Sequence, residues 1–441
     1  MNIEPFQKRR LETLKRMGAG IAIVPTAPEQ TRNRDAHFPY RADSYALYLS
    51  GFTEPEAVVV LIAGDGKQTR NQSILFCRDK NEEREIWDGY RYGPAAAADT
   101  FGFDAAYSIA ELDEKLVELM ANQPALYYAI GHDAGWDGRI TRALNGVRAQ
   151  ARAGKRAPEN IRDIRAILDA QRLFKDAHEI ALMRRAGEIS GAAHKRAMRA
   201  TRPGKYEYEI EAELLHEFRR HGCQAPAYTS IVAGGKNACV LHYVENNQPL
   251  NDGDLLLIDA GGELDGYASD ITRTFPVNGK FSGAQRDVYQ LVLDAQTAAI
   301  AATRPGNTFI DPHDAAVKVL AQGMLDLKLL TGTLDDVLEQ ESYKRFYMHR
   351  TGHWLGLDVH DAGEYKDHDN DGEWKKLEPG MVLTVEPGCY IRPADDVPAA
   401  FHNIGIRIED DALVTADGCD IITQSTPKTI AEIEAVMGEG R

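Results

Sequence analysis

The chain has 441 residues, 43% of them hydrophobic and 27% charged, with a formal net charge of −16. That length exceeds what one core ordinarily organises and predicts two domains, in a composition typical of globular rather than disordered chains. The acidic balance argues against nucleic acid or anionic lipid as partners, and no apolar run is long enough to span a bilayer.

From the N-terminus, the basic, amphipathic stretch from Met1 to Gly18 reads as a helix and lacks the apolar core of a secretory signal. Gly20–Val24 and Ala57–Ile62 are short, β-branched runs suited to a buried sheet. The basic, small-residue segment Ala151–Pro158 reads as a loop near a domain boundary. After Phe174, Asp176 followed by Glu179 has the spacing of a helix-starting capping box. The boundary is therefore placed near 174, with an α/β domain over 1–174 and a second domain over 175–441. Within the second, Thr201-Arg-Pro-Gly and Thr303-Arg-Pro-Gly each separate two helical segments ahead of a glycine-punctuated, strand-rich stretch. That echo suggests two pseudo-equivalent α/β halves. Cys77, Cys223, Cys239, Cys389 and Cys419 are scattered and never at CxxC spacing, which points to reduced thiols and a cytoplasmic setting.

The chemistry-bearing residues lie in the second domain. Leu255–Phe275 contains two strand-like runs about the turn-rich Gly261–Gly266. A turn centred on Leu264 and Asp265 predicts Asp259 and Asp270 as a directly opposed cross-strand pair, about 4.5–5.5 Å apart at Cβ. Two carboxylates that close repel unless a cation lies between them, and a pair of metal ions would use the spacing. A solvated hairpin with two ordinary aspartates is the other reading. Met381–Gly388 reads as a strand with Glu386 at its exit. In Ile404–Asp411 the isoleucines alternate with Arg407 and Glu409, which share a face and read either as an edge-strand ion pair or as a site. His349, His353 and His360 fall within twelve residues broken by Gly352 and Gly356, a density that favours a site although HExxH is absent. His242 is a weaker candidate. Asp367–Glu378 matches the spacing of an EF-hand calcium loop, but Pro379-Gly380 follows where an exiting helix belongs.

The blocks DAG…SDITRTFPVNGKF, HRTGHWLGLDVHD, LEPGMVLTVEPG and GIRIEDD resemble the signatures of the pita-bread metallopeptidases, and are most similar to the aminopeptidase P group. The resemblance extends to Pro39-Tyr40-Arg41, Gly51–Glu56 and Glu85-Ile86-Trp87. It implies a pita-bread catalytic domain with pseudo-twofold halves behind a smaller α/β domain. It implies that Asp259, Asp270, His353, Glu386 and Glu409 hold two metal ions, and that His242, His349, His360 and Arg407 touch substrate or support those ligands. Trp87 is expected either to roof a cleft, its own or a neighbouring subunit's, or to be a buried core residue. A homodimer or homotetramer is also implied by the family.

Four carboxylates and two divalent ions balance to neutrality. Oxygen-rich ligation with one imidazole and no thiolate favours Mn²⁺, with Co²⁺, Fe²⁺ or Zn²⁺ as alternatives. The implied activity is removal of the first residue from peptides with proline second. Attack is by a hydroxide bridging the metals, with Glu386 moving the proton and His360 or His242 stabilising the oxyanion. A prolidase restricted to Xaa-Pro dipeptides shares these ligands, and a non-catalytic scaffold reusing the fold is the reading from another class.

Overall fold

The computed structural model describes residues 2–64, 70–368 and 370–440. The chain divides into two units, Met1–Gln171 and Arg172–Arg441.

In the first unit, helix α1 (Glu4–Met17) carries Pro5 in its opening turn and Lys15 and Arg16 in its last, a polarity that suits the helix dipole. A six-stranded mixed sheet follows, built from β1 (Gly20–Pro25), β2 (Val58–Ala63), β3 (Gln72–Cys77), β4 (Ala105–Ser108), β5 (Ala125–Tyr127) and β6 (Asn160–Arg162), in the order β4-β3-β2-β1-β5-β6. The continuous apolar runs of β1 and β2 lie at its centre and are almost wholly buried, as strands covered on both faces must be. Trp87 sits on the short helix Glu82–Asp88 and is 83% exposed. The expectation of a buried core tryptophan is therefore overturned. That helix turns no buried side chain inward.

The second unit opens with α2 (Ala177–Ala200). Asp176 accepts from the amides of His178 (2.8 Å) and Glu179 (3.0 Å), while its own amide donates to Glu179 Oε2 (2.9 Å). Next come α3 (Glu207–Arg220), β7 (Ile231–Gly234), β8 (Leu255–Asp259), β9 (Gly262–Leu264), β10 (Tyr267–Ala268) and β11 (Thr272–Pro276). The second half repeats the plan with α4 (Gly283–Ala302), α5 (Asp311–Asp326), β12 (Val382–Val385), β13 (Gly388–Ile391), β14 (Ile404–Arg407), β15 (Asp410–Val414) and β16 (Cys419–Ile421).

The Thr-Arg-Pro-Gly echo is structural. Thr201 Oγ1 donates to the carbonyl of Ala197 at 2.8 Å, and Thr303 Oγ1 to that of Ala299 at 2.9 Å. Gly204 and Gly306 both take positive φ, 88° and 93°. Each turn is then tied to a segment distant in sequence by one isolated bridge, Tyr206 to Pro249 and Thr308 to Lys376. One apolar core runs through both halves.

The register at the aspartates differs from expectation. The turn is centred on Asp265 and Gly266, with φ of 49° and 87°, the Asp-Gly pair that favours tight hairpins. Asp259 therefore pairs with Thr272 rather than Asp270, and the two carboxylates meet diagonally. The Asp367–Glu378 segment is not framed as an EF-hand, in keeping with the Pro379-Gly380 pair that follows it. Lys366–Asp367 pairs with Glu373–Trp374 as a two-stranded hairpin, and Glu378 leads through a turn into β12, so among the described residues no EF-hand helix flanks the segment. Asp369 lies outside the described residues.

Candidate metal centre and active site

Each half delivers its acidic residues from strand ends. Asp259 closes β8, Asp270 follows β10, Glu386 follows β12, and Glu409 sits between β14 and β15. His353 is held by its amide on Thr384 Oγ1 (3.1 Å) and by Nδ1 on the carbonyl of Trp354 (3.0 Å). That second contact turns Nε2 inward, 3.4 Å from Asp270 and 3.7 Å from Glu386. Gly352 is required there, because a Cβ would stand 2.1 Å from the carbonyl oxygen of Thr384.

These residues line one cavity of about 430 Å³ together with His242, His349, His360 and Arg407. Donor atoms of Asp270, His353 and Glu409 lie within 4.8 Å of one another, close enough to share one ion. Asp259 and Glu386 face the same space. Trp87 belongs to the first unit and is not among the lining residues.

Arg407 does not pair with Glu409 along its strand face. Its Nη2 donates to Asp259 Oδ2 at 2.6 Å and its Nη1 to Tyr390 Oη at 3.0 Å. Glu409 Oε2 accepts instead from Thr272 Oγ1 at 2.6 Å. The edge-strand ion pair is thus excluded, since Arg407 is buried in contact with the opposite half. His349 is set by Nε2 on Tyr390 Oη (2.8 Å) and Nδ1 on its neighbour's carbonyl (2.7 Å).

Tyr228, Tyr390 and Thr272 were not found by sequence reading. Tyr228 Oη lies 2.6 Å from Asp259 Oδ1 and 2.5 Å from Asp270 Oδ1. No local pattern marks it, for it stands alone in Tyr-Thr-Ser, well before the first aspartate.

The electrostatics of the cavity are those of an anionic cluster in need of positive charge. Burial raises the Glu386 carboxyl to about 7, although His353 and Arg407 pull it down. Burial, with repulsion from Asp270, Glu386 and Asp259, holds Glu409 well above its ordinary range. Asp259 is raised by burial despite Arg407. Only Asp270 falls below its usual value, where pairing with His353 outweighs burial. His353 rises to about 9, because Asp270 and Glu386 overcome its own burial. The single phenolic proton of Tyr228 can serve only one of its two carboxylates at a time. The chain alone therefore relieves this repulsion by taking up protons, and divalent cations would relieve it better. Four carboxylates and one imidazole, with no thiolate among them, are a donor set that fits such ions.

The chain is similar to known proteins over nearly its whole length. Residues 181–416 match Metallopeptidase family M24, and residues 6–127 match the Aminopeptidase P, N-terminal domain. The Xaa-Pro aminopeptidase of Escherichia coli is 45% identical over 439 residues, covering 99% of this chain and 98% of the relative. Among solved structures, the Pseudomonas aeruginosa aminopeptidase PepP superposes with a TM-score of 0.97 at 48% identity, covering 100% of this chain and 99% of that one. A glutamate-to-alanine variant of Escherichia coli aminopeptidase P in complex with substrate gives 0.96 at 44% identity, with the same coverage. A pita-bread fold with two α/β halves, a buried acidic centre and near-complete coverage at these identities lead to one assignment: the chain belongs to metallopeptidase family M24 and carries the aminopeptidase P N-terminal domain.

Proposed function

We infer that this chain is a metal-dependent Xaa-Pro aminopeptidase, releasing the first residue from peptides whose second residue is proline. The observation that carries the reading is the convergence of four carboxylates, three of them buried, and one inward-facing imidazole in a single cavity. Full-length similarity to Xaa-Pro aminopeptidases supports it.

Asp259, Asp270, His353, Glu386 and Glu409 would hold two divalent ions, Mn²⁺ by the hardness of the donors. The chemistry such ions supply when bound is Lewis-acid: a nucleophile at neutral pH and a polarised scissile carbonyl. Around them the side chains divide the remaining work. Glu386 carries a proton to the departing imide nitrogen, which needs it because an amine anion leaves poorly. His360, neutral because burial and the neighbouring His353 lower its pKa, donates with His242 to the oxygen that gains charge. Asp259 receives the free amine of the substrate, which restricts cleavage to the first bond. Arg407, locked on Asp259 and Tyr390, keeps that carboxylate aimed. Ile231, Leu241 and Val244 give the cavity an apolar wall against which a pyrrolidine ring packs.

The first domain would shape access to the site and contacts between subunits, in a homodimer or homotetramer. Ile86, Trp87 and Tyr90 are each more than four-fifths exposed and suit that use. A cytoplasmic location fits the five free thiols. Among the described residues no helix is long and apolar enough to cross a membrane.

The test is hydrolysis of Arg-Pro-Pro against Ala-Pro by metal-stripped enzyme with and without Mn²⁺. Metal-dependent cleavage of the tripeptide after its first residue is expected. Cleavage of the dipeptide alone would make the protein a prolidase, and no cleavage of either would leave only a scaffold.

A further inference from the structure

His360 lines the cavity. Among the described residues its imidazole makes no hydrogen bond, and it meets the ring of His353 edge-on at 4.3 Å between centroids. Its place is therefore set by its backbone. That backbone is a tight loop closed by the amide of Asp361 on the carbonyl of Trp354 (2.9 Å) and by Gly356 on Asp358 (3.1 Å). The Asp361 side chain folds back beneath the loop and accepts the amide of Asp358 at 3.2 Å. Only glycine at 356 permits this, since a Cβ would stand 2.2 Å from Asp361 Oδ2.

Two cations reach the same carboxylate from the start of the second unit. Arg172 Nη2 donates to Asp361 Oδ1 at 2.6 Å and to Asp358 Oδ2 at 2.7 Å, and Lys175 Nζ donates to Asp361 Oδ2 at 3.0 Å. The side chains of Arg172, Lys175 and Asp361 are each 1% exposed. Burial alone would raise the Asp361 carboxyl, but Lys175 and Arg172 reverse this and keep it ionised. Buried charge clusters of this kind are often no more stabilising than apolar residues of equal volume, so net stability is a poor reason for them.

We propose that Arg172, Lys175 and Asp361 are positioning residues that hold the 355–361 loop in the one conformation presenting His360 to the reacting carbonyl. The proposal rests on the role given to His360 above. Asp361→Asn removes the charge while keeping the shape, and is expected to lower kcat on an Xaa-Pro tripeptide by on the order of 10- to 100-fold, the scale of a misplaced catalytic group. KM and metal content per chain should change little. Lys175→Met, which leaves Arg172 on Asp361, should act in the same direction and carries the test if D361N does not fold. Arg172→Lys should restore part of what Arg172→Met loses.

The deciding measurement is the double-mutant cycle with His360→Ala in the metal-loaded enzyme. D361N or K175M should cost almost nothing further once His360 is gone. Additive losses, or unchanged kcat in a folded D361N or K175M, overturn the proposal. A His360→Ala enzyme with parental kcat would instead overturn the reading of His360 itself, which is a separate result.

Discussion

Glu386 is the residue at which the chemistry can be questioned most directly. It stands 3.7 Å from His353, and burial pushes its carboxyl to about 7. Glu386→Gln keeps the shape but gives up the proton-carrying function, and kcat should fall by about 10²-fold or more, the usual contribution of a positioned acid–base. Steady-state kinetics read beside metal content check this: near-parental turnover with metal retained would remove Glu386 from the proton path. At this scale the acidic and histidine candidates were legible because their local blocks are distinctive. Tyr228 was not, since a lone tyrosine acquires its meaning only when the fold brings it under two aspartates distant in sequence.

The hairpin between β8 and β11 shows how one element sets the site. Asp-Gly at its tip moves the register so that Asp259 faces Thr272, and the chain between the aspartates must pass very close to its partner strand. At Gly261 a Cβ would lie 1.6 Å from the carbonyl oxygen of Ser269. Gly261→Ala is therefore expected to separate the strands, costing upwards of about 3 kcal/mol of stability. It should also lower metal content, because both aspartates shift. Urea unfolding and metal analysis of the purified variant check both, and a variant of parental stability would show that the backbones part without strain. The turn-rich character of Gly261–Gly266 was legible in the composition. Its centre was not, because adjacent placements of a turn satisfy the same pattern of strand residues.

At the scale of the whole molecule, acid sensitivity follows from groups buried in neutral form. His194 is fully buried on α2, its Nε2 on the carbonyl of Ala260 at 3.0 Å, and burial lowers its pKa to about 4. The folded value lies below the unfolded one of about 6.5, so the unfolded chain takes up the proton first on acidification. Stability is full above about pH 6.5 and falls as pH drops towards 4, by about 3 kcal/mol from this residue. His194→Gln keeps a donor for Ala260 and does not titrate, so it should lose less stability than the parent between pH 7 and 5. Urea midpoints for both proteins at both pH values test this, since any metal contribution is common to the pair. Equal losses would mean that His194 is not a source of the acid sensitivity.

What the sequence by itself determined were the quantities carried by local pattern. These are the two-domain length, the buried apolar runs of β1 and β2, the capped start of α2, the twice-used Thr-Arg-Pro-Gly turn and the blocks that bear the site residues. Each depends on propensity, capping or turn chemistry acting over a few residues. Only the tertiary structure decided the contacts between residues distant in sequence. Arg407 chose Asp259 rather than its strand neighbour Glu409, Tyr228 came to lie under both aspartates, and Arg172 and Lys175 closed on Asp361. Burial makes each of these groups require a partner, and which partner is within reach is a property of the packed halves that no stretch of a few residues contains.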